Sequence, residues 1–338
     1  DDEGIYNFEN TVLGHVRLSI LDLTSKGKQP MSNDGNFWIT YNGEIYNFKE
    51  IKSELIKLNY KFFSNTDTEV ILNAFKEWGI ESFKKFNGMW SFAILDQKEK
   101  KIIISRDRYG VKPCYYFENE KKIIFSSEIK GILASEESLE IDSNKILLRD
   151  KTKEKYCLTN YKSLNILQPG WVYEISLKDY STKKTRWWNG LDNIPNISIK
   201  KSNIEKEVTN LLYKATERRL ISDVKIGISL SGGVDSSIIF SILNNLNSTS
   251  RIDLNPFIVN YEQNQTFNEA IDLCNYYKKN PEIVKYDSEN IGELANNFSA
   301  LEISAPFFSQ LEIYKAQKKK GFKVSIDGHG ADECHGGY

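Results

Sequence analysis

Ser229-Leu230-Ser231-Gly232-Gly233-Val234-Asp235-Ser236-Ser237 is the stretch from which the fold of the second half can be read. It follows a short apolar run, Ile226–Leu230, and opens a helical pattern from Asp235. Two adjacent glycines let the backbone take positive φ and turn its N–H groups inward, which makes a concave anion nest. Ser231, Ser236 and Ser237 add hydroxyl donors, and a helix N-terminus adds its partial positive charge. Asp235 is out of place beside an anion unless a metal bridges the two, and Mg²⁺ held by one carboxylate plus phosphate oxygens resolves the conflict. No Gly-Lys-Ser/Thr follows, so this is not a Walker A loop. A plain strand–turn–helix connection, capped by Asp235 or a serine, is the competing explanation. The density of polar residues between strand and helix favours anion binding over it.

Outward from that loop, strands and helices alternate. A helix with Ile204, Val208, Leu211, Leu212 and Ala215 on one face leads into the Ile226–Leu230 strand. Strand Phe257–Asn260, a helix through Ala270–Tyr277, a strand near Ile283–Tyr286 and a strand Phe322–Ile326 follow. Such alternation predicts an α/β unit with a parallel sheet. Ligands of an open parallel sheet collect at the carboxyl ends of its strands. A second string, Asp327-Gly328-His329-Gly330-Ala331-Asp332-Glu333, stands at such an end and suits a second wall for nucleotide and metal.

The first 190 residues have a different texture. A strand over residues 36–41 is closed by the turn signal Asn42-Gly43. A helix with Phe48, Ile51, Leu55 and Leu58 on one face follows, then a helix from Thr66/Asp67 that stops at Gly79. Apolar runs Met89–Leu95, Ile102–Ser105, Cys114–Phe117 and Ile123–Ser126 come in quick succession with turns between them, which predicts antiparallel sheet in an α+β unit. The change of texture around Trp187, Trp188, Gly190 and Pro195 divides the chain into units 1–190 and 191–338.

Composition narrows the function classes. With 45 Lys+Arg against 46 Asp+Glu, a strongly basic nucleic-acid binder is excluded as the dominant character. Apolar residues at 40% supply a core, and no apolar run approaches the roughly 18 residues of a membrane span. Cys114, Cys157, Cys274 and Cys334 are far apart, against a disulfide framework and against a zinc site. The expectation is a reduced, cytoplasmic protein.

In order along the first half stand Gly14-His15-Val16-Arg17-Leu18-Ser19-Ile20, then Asn42-Gly43-Glu44-Ile45-Tyr46-Asn47, then Ser64-Asn65-Thr66-Asp67-Thr68-Glu69. Ser105-Arg106-Asp107-Arg108-Tyr109-Gly110-Val111-Lys112-Pro113, Ser126-Ser127-Glu128-Ile129-Lys130 and Gln168-Pro169-Gly170 follow, ahead of the 229–237 loop. The loop resembles the Ser-Gly-Gly-x-Asp-Ser signature of the ATP-pyrophosphatase (PP-loop) superfamily. The ordered set as a whole resembles the glutamine-hydrolysing asparagine synthetase family. That resemblance implies two domains. One is an N-terminal-nucleophile amidotransferase domain, an αββα sandwich over 1–190; the other is a parallel-sheet PP-loop domain, adenine nucleotide alpha hydrolase-like, over 191–338.

The resemblance also implies roles. Glutamine would lie on Arg17, Leu18, Ser19, Ile20, Leu21, Asn42, Gly43, Glu44 and Asp67. Arg17 would take its α-carboxylate, Asp67 its α-ammonium, and Asn42 and Gly43 would form the oxyanion hole. ATP would lie on Ser229, Ser231, Gly232, Gly233, Asp235, Ser236, Val259, Asp327 and Gly328, with Mg²⁺ on Asp235 and Asp332. The implied reaction converts aspartate to asparagine through an aspartyl-adenylate, with glutamine-derived ammonia as nitrogen donor and AMP and pyrophosphate as products. The implied partners are these small molecules, with no nucleic acid and no membrane, and the implied assembly is a homodimer. Two departures stand out. The family nucleophile is an N-terminal cysteine, and the chain opens Asp1-Asp2-Glu3-Gly4. It is therefore read as an internal fragment, without glutaminase activity of its own. Many relatives carry Glu where this chain has His329, and a neutral imidazole supplies no fixed negative charge. Another carboxylate, such as a sugar acid or a β-lactam-type precursor, is the alternative acceptor. A non-catalytic protein that binds nucleotide or glutamine is the alternative of a different class.

Overall fold

The computed structural model describes residues 1–135, 139–144, 159–193, 201–250, 254–260, 265–285 and 308–332. Pro195, Tyr286 and Glu333, and the cysteines Cys157 and Cys334, lie outside the described residues. The chain forms two compact units, which divide at Asn196/Ile197.

In the first unit, β1 (Asp2–Phe8) and β2 (Thr11–Arg17) make an antiparallel hairpin with Ile5 opposite Gly14 and Gly4 opposite His15. The main sheet is antiparallel and five-stranded. It comprises β3 (Phe37–Ile45), β4 (Gly88–Asp96), β5 (Lys101–Arg106), β9 (Trp171–Ser176) and β10 (Thr182–Arg186), in the order β10-β9-β5-β4-β3. A second sheet joins β6 (Tyr115–Glu118), β7 (Ile123–Ser126) and β8 (Leu164–Ile166). Helices α1 (Phe48–Lys57), α2 (Asp67–Trp78), α3 (Ser82–Lys85) and α4 (Ile129–Leu133) complete the described part of the unit.

The expected turn at Asn42-Gly43 is not there. β3 runs straight through both residues, pairing Asn42 with Ser91 and Gly43 with Trp90. Glycine is needed at 43 for contact rather than for turning, because a β-carbon would overlap the Met89 carbonyl oxygen of the neighbouring strand. Leu58 also departs from expectation: α1 stops at Lys57 and leaves Leu58 largely exposed, while Phe48, Ile51 and Leu55 are buried. The second helix starts as read. The Thr66 hydroxyl accepts from the Glu69 N–H at 3.3 Å as N-cap, and Gly79 ends the helix at φ 57°. Trp187 packs inside the first unit, stacked on Trp90 at 5.5 Å and edge-on to Phe83.

In the second unit, β11 (Ile226–Ser229), β12 (Asn255–Asn260), β13 (Glu282–Lys285) and β14 (Val324–Ile326) form a parallel sheet in the order β13-β12-β11-β14. Helices α5 (Lys201–Arg218), α6 (Val234–Ser250), α7 (Gln265–Tyr276) and α8 (Phe308–Lys319) accompany it. Ile228, Ile258 and Ile326 pack against Phe240 and Cys274, from α6 and α7. On the opposite strand faces, Phe257, Val259 and Val284 pack with Ile313 of α8 and with Phe322. Because β11 is followed by β12 on one side but flanked by β14 on the other, the strand order reverses between β11 and β14. That reversal opens a crevice at their carboxyl ends, the place where such sheets bind ligands.

Candidate functional site

The 229–237 loop lies at that crevice. Gly232 takes φ 83°, and a β-carbon there would overlap the Thr266 carbonyl oxygen at the start of α7. Only glycine satisfies both the backbone angle and the contact. The Ser236 hydroxyl donates to the Gly233 carbonyl at 3.2 Å, accepts from the Ser231 N–H at 3.2 Å, and lies 2.9 Å from the Ser231 hydroxyl. These bonds bend the loop back on the first turn of α6, which begins at Val234 and carries Asp235. The Ser229 hydroxyl instead points at the Ser325 hydroxyl of β14, 3.0 Å away, beneath the loop.

Asp327 and Gly328 follow β14 directly onto the same place. A β-carbon on Gly328 would sit 2.7 Å from the Ser236 nitrogen and 2.9 Å from the Asp235 β-carbon, so this backbone packs flush on the first turn of α6. The structure thus brings Ser231–Ser236 together with Asp327 and Gly328. Val259 behaves differently: its side chain is buried in the core cluster with Phe257 and Ile313, which leaves its backbone as the part able to meet a ligand.

The Mg²⁺ expectation can be tested on the donor set. Among the described residues no group of three or more His, Cys, Asp or Glu could hold a metal by protein ligands alone. Mg²⁺ is commonly held by one or two carboxylates with substrate phosphates completing its shell. Asp235, in the first turn of α6 beside the 231–236 loop, fits such an arrangement.

The first unit holds a cavity of about 770 Å³. Arg17, Leu18, Ile20, Leu21, Asn42, Gly43, Glu44 and Asp67 all line it. Ser19 does not: it is buried, and its N–H donates to Asp1 Oδ2 at 2.8 Å. Arg17 is 6% exposed and donates to the carbonyls of Asp22 (2.6 Å), Leu21 (3.0 Å) and Thr24 (3.0 Å) and to Asp2 Oδ2 (3.2 Å). A β-carbon at Gly27 would overlap the guanidinium, so this glycine makes room for the fork.

Asp67 lies at the start of α2, fully enclosed. Its Oδ2 accepts from the Tyr41 hydroxyl and from the Ile45 N–H, both at 2.8 Å. Burial disfavours its charge more than these bonds favour it, and the pKa rises to about 6. Asn42 Nδ2 reaches the Ser127 hydroxyl at 3.3 Å.

Several lining residues went unread in the sequence. His15 faces the Thr40 hydroxyl at 3.2 Å, and burial, helped by the Arg17 charge, lowers its pKa to about 4. Burial also draws Lys112 below the usual lysine range, against the pull of Glu44 and Asp107. Gln29 lines the cavity too, and its Oε1 accepts from the Tyr41 N–H at 2.7 Å. The only sequence signal of His15 and Lys112 was a place inside a quoted string, and Gln29 had none.

Other residues of those strings are scaffold. Asp107 accepts the N–H groups of Trp90, Tyr109, Val111 and Lys112 at 3.0–3.2 Å. Glu69, fully buried, accepts the N–H groups of Phe63 and Ser64. Cys114 lines the cavity, but burial raises its thiol to about 11, so it is no ready thiolate.

Comparison with known proteins identifies both units. The family description "Glutamine amidotransferase domain" matches residues 1–188, and "Asparagine synthase" matches residues 207–338. The whole chain is 36% identical to a protein of Methanocaldococcus jannaschii named putative asparagine synthetase [glutamine-hydrolyzing] 2, and covers 70% of it. It is 30% identical, again over the whole chain, to asparagine synthetase [glutamine-hydrolyzing] 1 of Bacillus subtilis, and covers 53% of that protein. Over 96% of its length it is 29% identical to amidase chry2 of Gibberella zeae, of which it covers 51%. The chain thus spans between about half and 70% of the length of these relatives. With the amidotransferase description over the first unit and the asparagine synthase description over the second, the chain belongs to the glutamine-hydrolysing asparagine synthetase family.

Proposed function

We propose that the protein of which this chain forms part makes asparagine from aspartate, ATP and glutamine. Residues 1–190 serve glutamine hydrolysis and residues 191–338 serve adenylation. The observation that carries the reading is the 231–236 loop, closed on itself by serine hydroxyls at the carboxyl edge of a parallel sheet, with Gly328 packed on Asp235 and Ser236. Such a nest fits a triphosphate.

Glutamine occupies the first cavity, its α-carboxylate on Arg17 and its α-ammonium on Asp67. Asn42 Nδ2 and the backbone at Gly43 face the developing oxyanion. In the second unit, ATP lies with its phosphates on Ser231–Ser236 and its base near the Val259 backbone. The acceptor carboxylate attacks the α-phosphorus, a P–O bond forms, and pyrophosphate leaves. Asp235 and Asp332 would hold Mg²⁺, which would neutralise charge on that leaving group. Ammonia then displaces AMP from the acyl-adenylate.

In the full-length protein, Asp235→Ala abolishes pyrophosphate release and spares glutamine hydrolysis. Retained synthesis in that variant would refute the loop assignment. A second reading, the same machinery acting on a different carboxylate, is favoured by His329 and by relatives named as amidases. A screen of carboxylate acceptors with ATP and ammonium, read by pyrophosphate release, separates the two.

A further inference from the structure

We infer that the first unit carries a second ligand site, a groove that takes a small primary carboxamide on Asn33 and Asn73. It goes beyond the two sites of the proposed function and does not rest on that reading. Asn73 lies within α2, and Asn33 lies in the segment leading to β3. Both line a groove of about 460 Å³, whose other walls include Leu58, Tyr60, Phe62 and Phe63. The groove shares no lining residue with the larger cavity of the same unit.

The two asparagines are joined by one hydrogen bond, from Asn33 Nδ2 to Asn73 Oδ1. The other amide atom of each, Asn33 Oδ1 and Asn73 Nδ2, is buried and has no hydrogen-bond partner among the described residues. Asn73 is 1% exposed, so bulk water does not serve it. The pattern does not depend on which way the two amides are turned. A hydrogen bond between two carboxamides uses one nitrogen and one oxygen, and one of each is left over.

A leftover donor and a leftover acceptor on two bonded side chains are the complement of a third carboxamide, which accepts through its oxygen and donates through its nitrogen. A carboxylate offers no donor to Asn33 Oδ1, and an ammonium offers no acceptor to Asn73 Nδ2. Charge is not what the groove supplies: Lys76 is matched by Asp34 at 2.7 Å, and Lys61 is exposed to water. The aromatic and aliphatic walls suit a short apolar body behind the amide, with the few polar groups fixing its orientation.

A buried amide pair that serves only to specify the fold would account for the Asn33–Asn73 bond. It would not account for the two atoms left over, because a half-satisfied buried pair is less stable than an apolar pair of the same shape.

The test is a ligand-observed NMR titration of the full-length protein with propionamide, which lacks the α-carboxylate and α-ammonium proposed for Arg17 and Asp67. Saturable binding is expected. Propionate should bind about 10-fold more weakly or worse, because it leaves Asn33 Oδ1 facing an acceptor. Asn73→Leu removes the free donor and should weaken propionamide by a similar factor. Asn33→Asp keeps the size of the side chain and makes a sharper demand. Asn73 then turns its nitrogen to the new carboxylate, and both leftover atoms are acceptors. Preference should pass from propionamide to propionamidine, which donates from both nitrogens.

Absence of saturable propionamide binding, or binding that neither Asn73→Leu nor Asn33→Asp alters, would overturn the assignment and leave the two atoms to buried water only. Asparagine and glutamine carry the same group, and displacement of propionamide by one and not the other supports the site and names its source. None of these readouts involves nucleotide or turnover, so failure of the proposed reaction would leave them unchanged.

Discussion

The two candidate sites are built by opposite means. In the second unit the anion cradle comes from one run of nine residues, and its polar contacts are backbone groups and hydroxyls a few positions apart. In the first unit the pocket draws on groups from β2, β3, α2 and the segment around Lys112, and two of its charged members, Arg17 and Asp67, are buried. Arg17 is spent on three carbonyls and a carboxylate, and Asp67 on a hydroxyl and an N–H. A backbone nest fails when its backbone is obstructed. A buried-charge pocket fails when a charge loses its partners, because an unpaired buried charge or donor costs more than the bond itself contributed.

The sharpest way to break this contrast is a pair of neighbouring glycines. Gly232→Ala places a β-carbon against the Thr266 carbonyl at φ 83°, and should cost about 2–5 kcal/mol by urea unfolding as well as ATP binding. Gly233→Ala meets nothing closer than the Ser231 hydroxyl at 3.4 Å and should be nearly neutral. Equal effects would mean that the loop's shape is not what matters.

The next effect is electrostatic and belongs to the first unit. Asp67 has a folded pKa of about 6, above its ordinary 3.8, so it binds its proton more tightly when folded. Its stabilising contribution is present below pH 3.8 and is lost as pH rises through 6. Asp67→Asn removes that dependence and should make the ligand-free unit more stable at pH 8, by on the order of 3 kcal/mol, while destroying glutamine binding. The check is urea unfolding of wild type and variant at pH 4 and pH 8; identical pH profiles would sink the idea.

A smaller effect sharpens the role of the fork. Arg17→Lys keeps the charge but not the planar donors, and should raise the glutamine KM about 10–100-fold while ammonia-dependent synthesis is unaffected. Equal losses with both nitrogen donors would show that Arg17 supports the fold and not the ligand.

Legibility in the sequence follows the same division. The PP-loop could be read because the hydroxyls and N–H groups that close it on itself lie within nine residues, and the parallel sheet could be read from strand–helix alternation. Asn42-Gly43 misled because its dipeptide is a turn signal in isolation. In the structure, β4 supplies cross-strand partners that hold both residues extended, and the glycine is fixed by the Met89 carbonyl on that strand. Leu58 fits the helical period, but the helix ends one residue earlier. His15 and Gln29 left no periodic trace, since only the folding of separate strands onto one cavity gives them a place.

The sequence by itself determined the two-part architecture, the anion nest and the family, because these depend on local backbone chemistry and on ordered strings of residues. Tertiary structure alone decided that Val259 gives its side chain to the core, that Arg17 and Asp67 are buried, and that His329 meets Asp327 under a clamp from α8. The physical reason is range. Hydrogen bonds and steric contacts within a turn are fixed by adjacent residues, whereas burial and the pairing of distant side chains are set only when strands and helices pack.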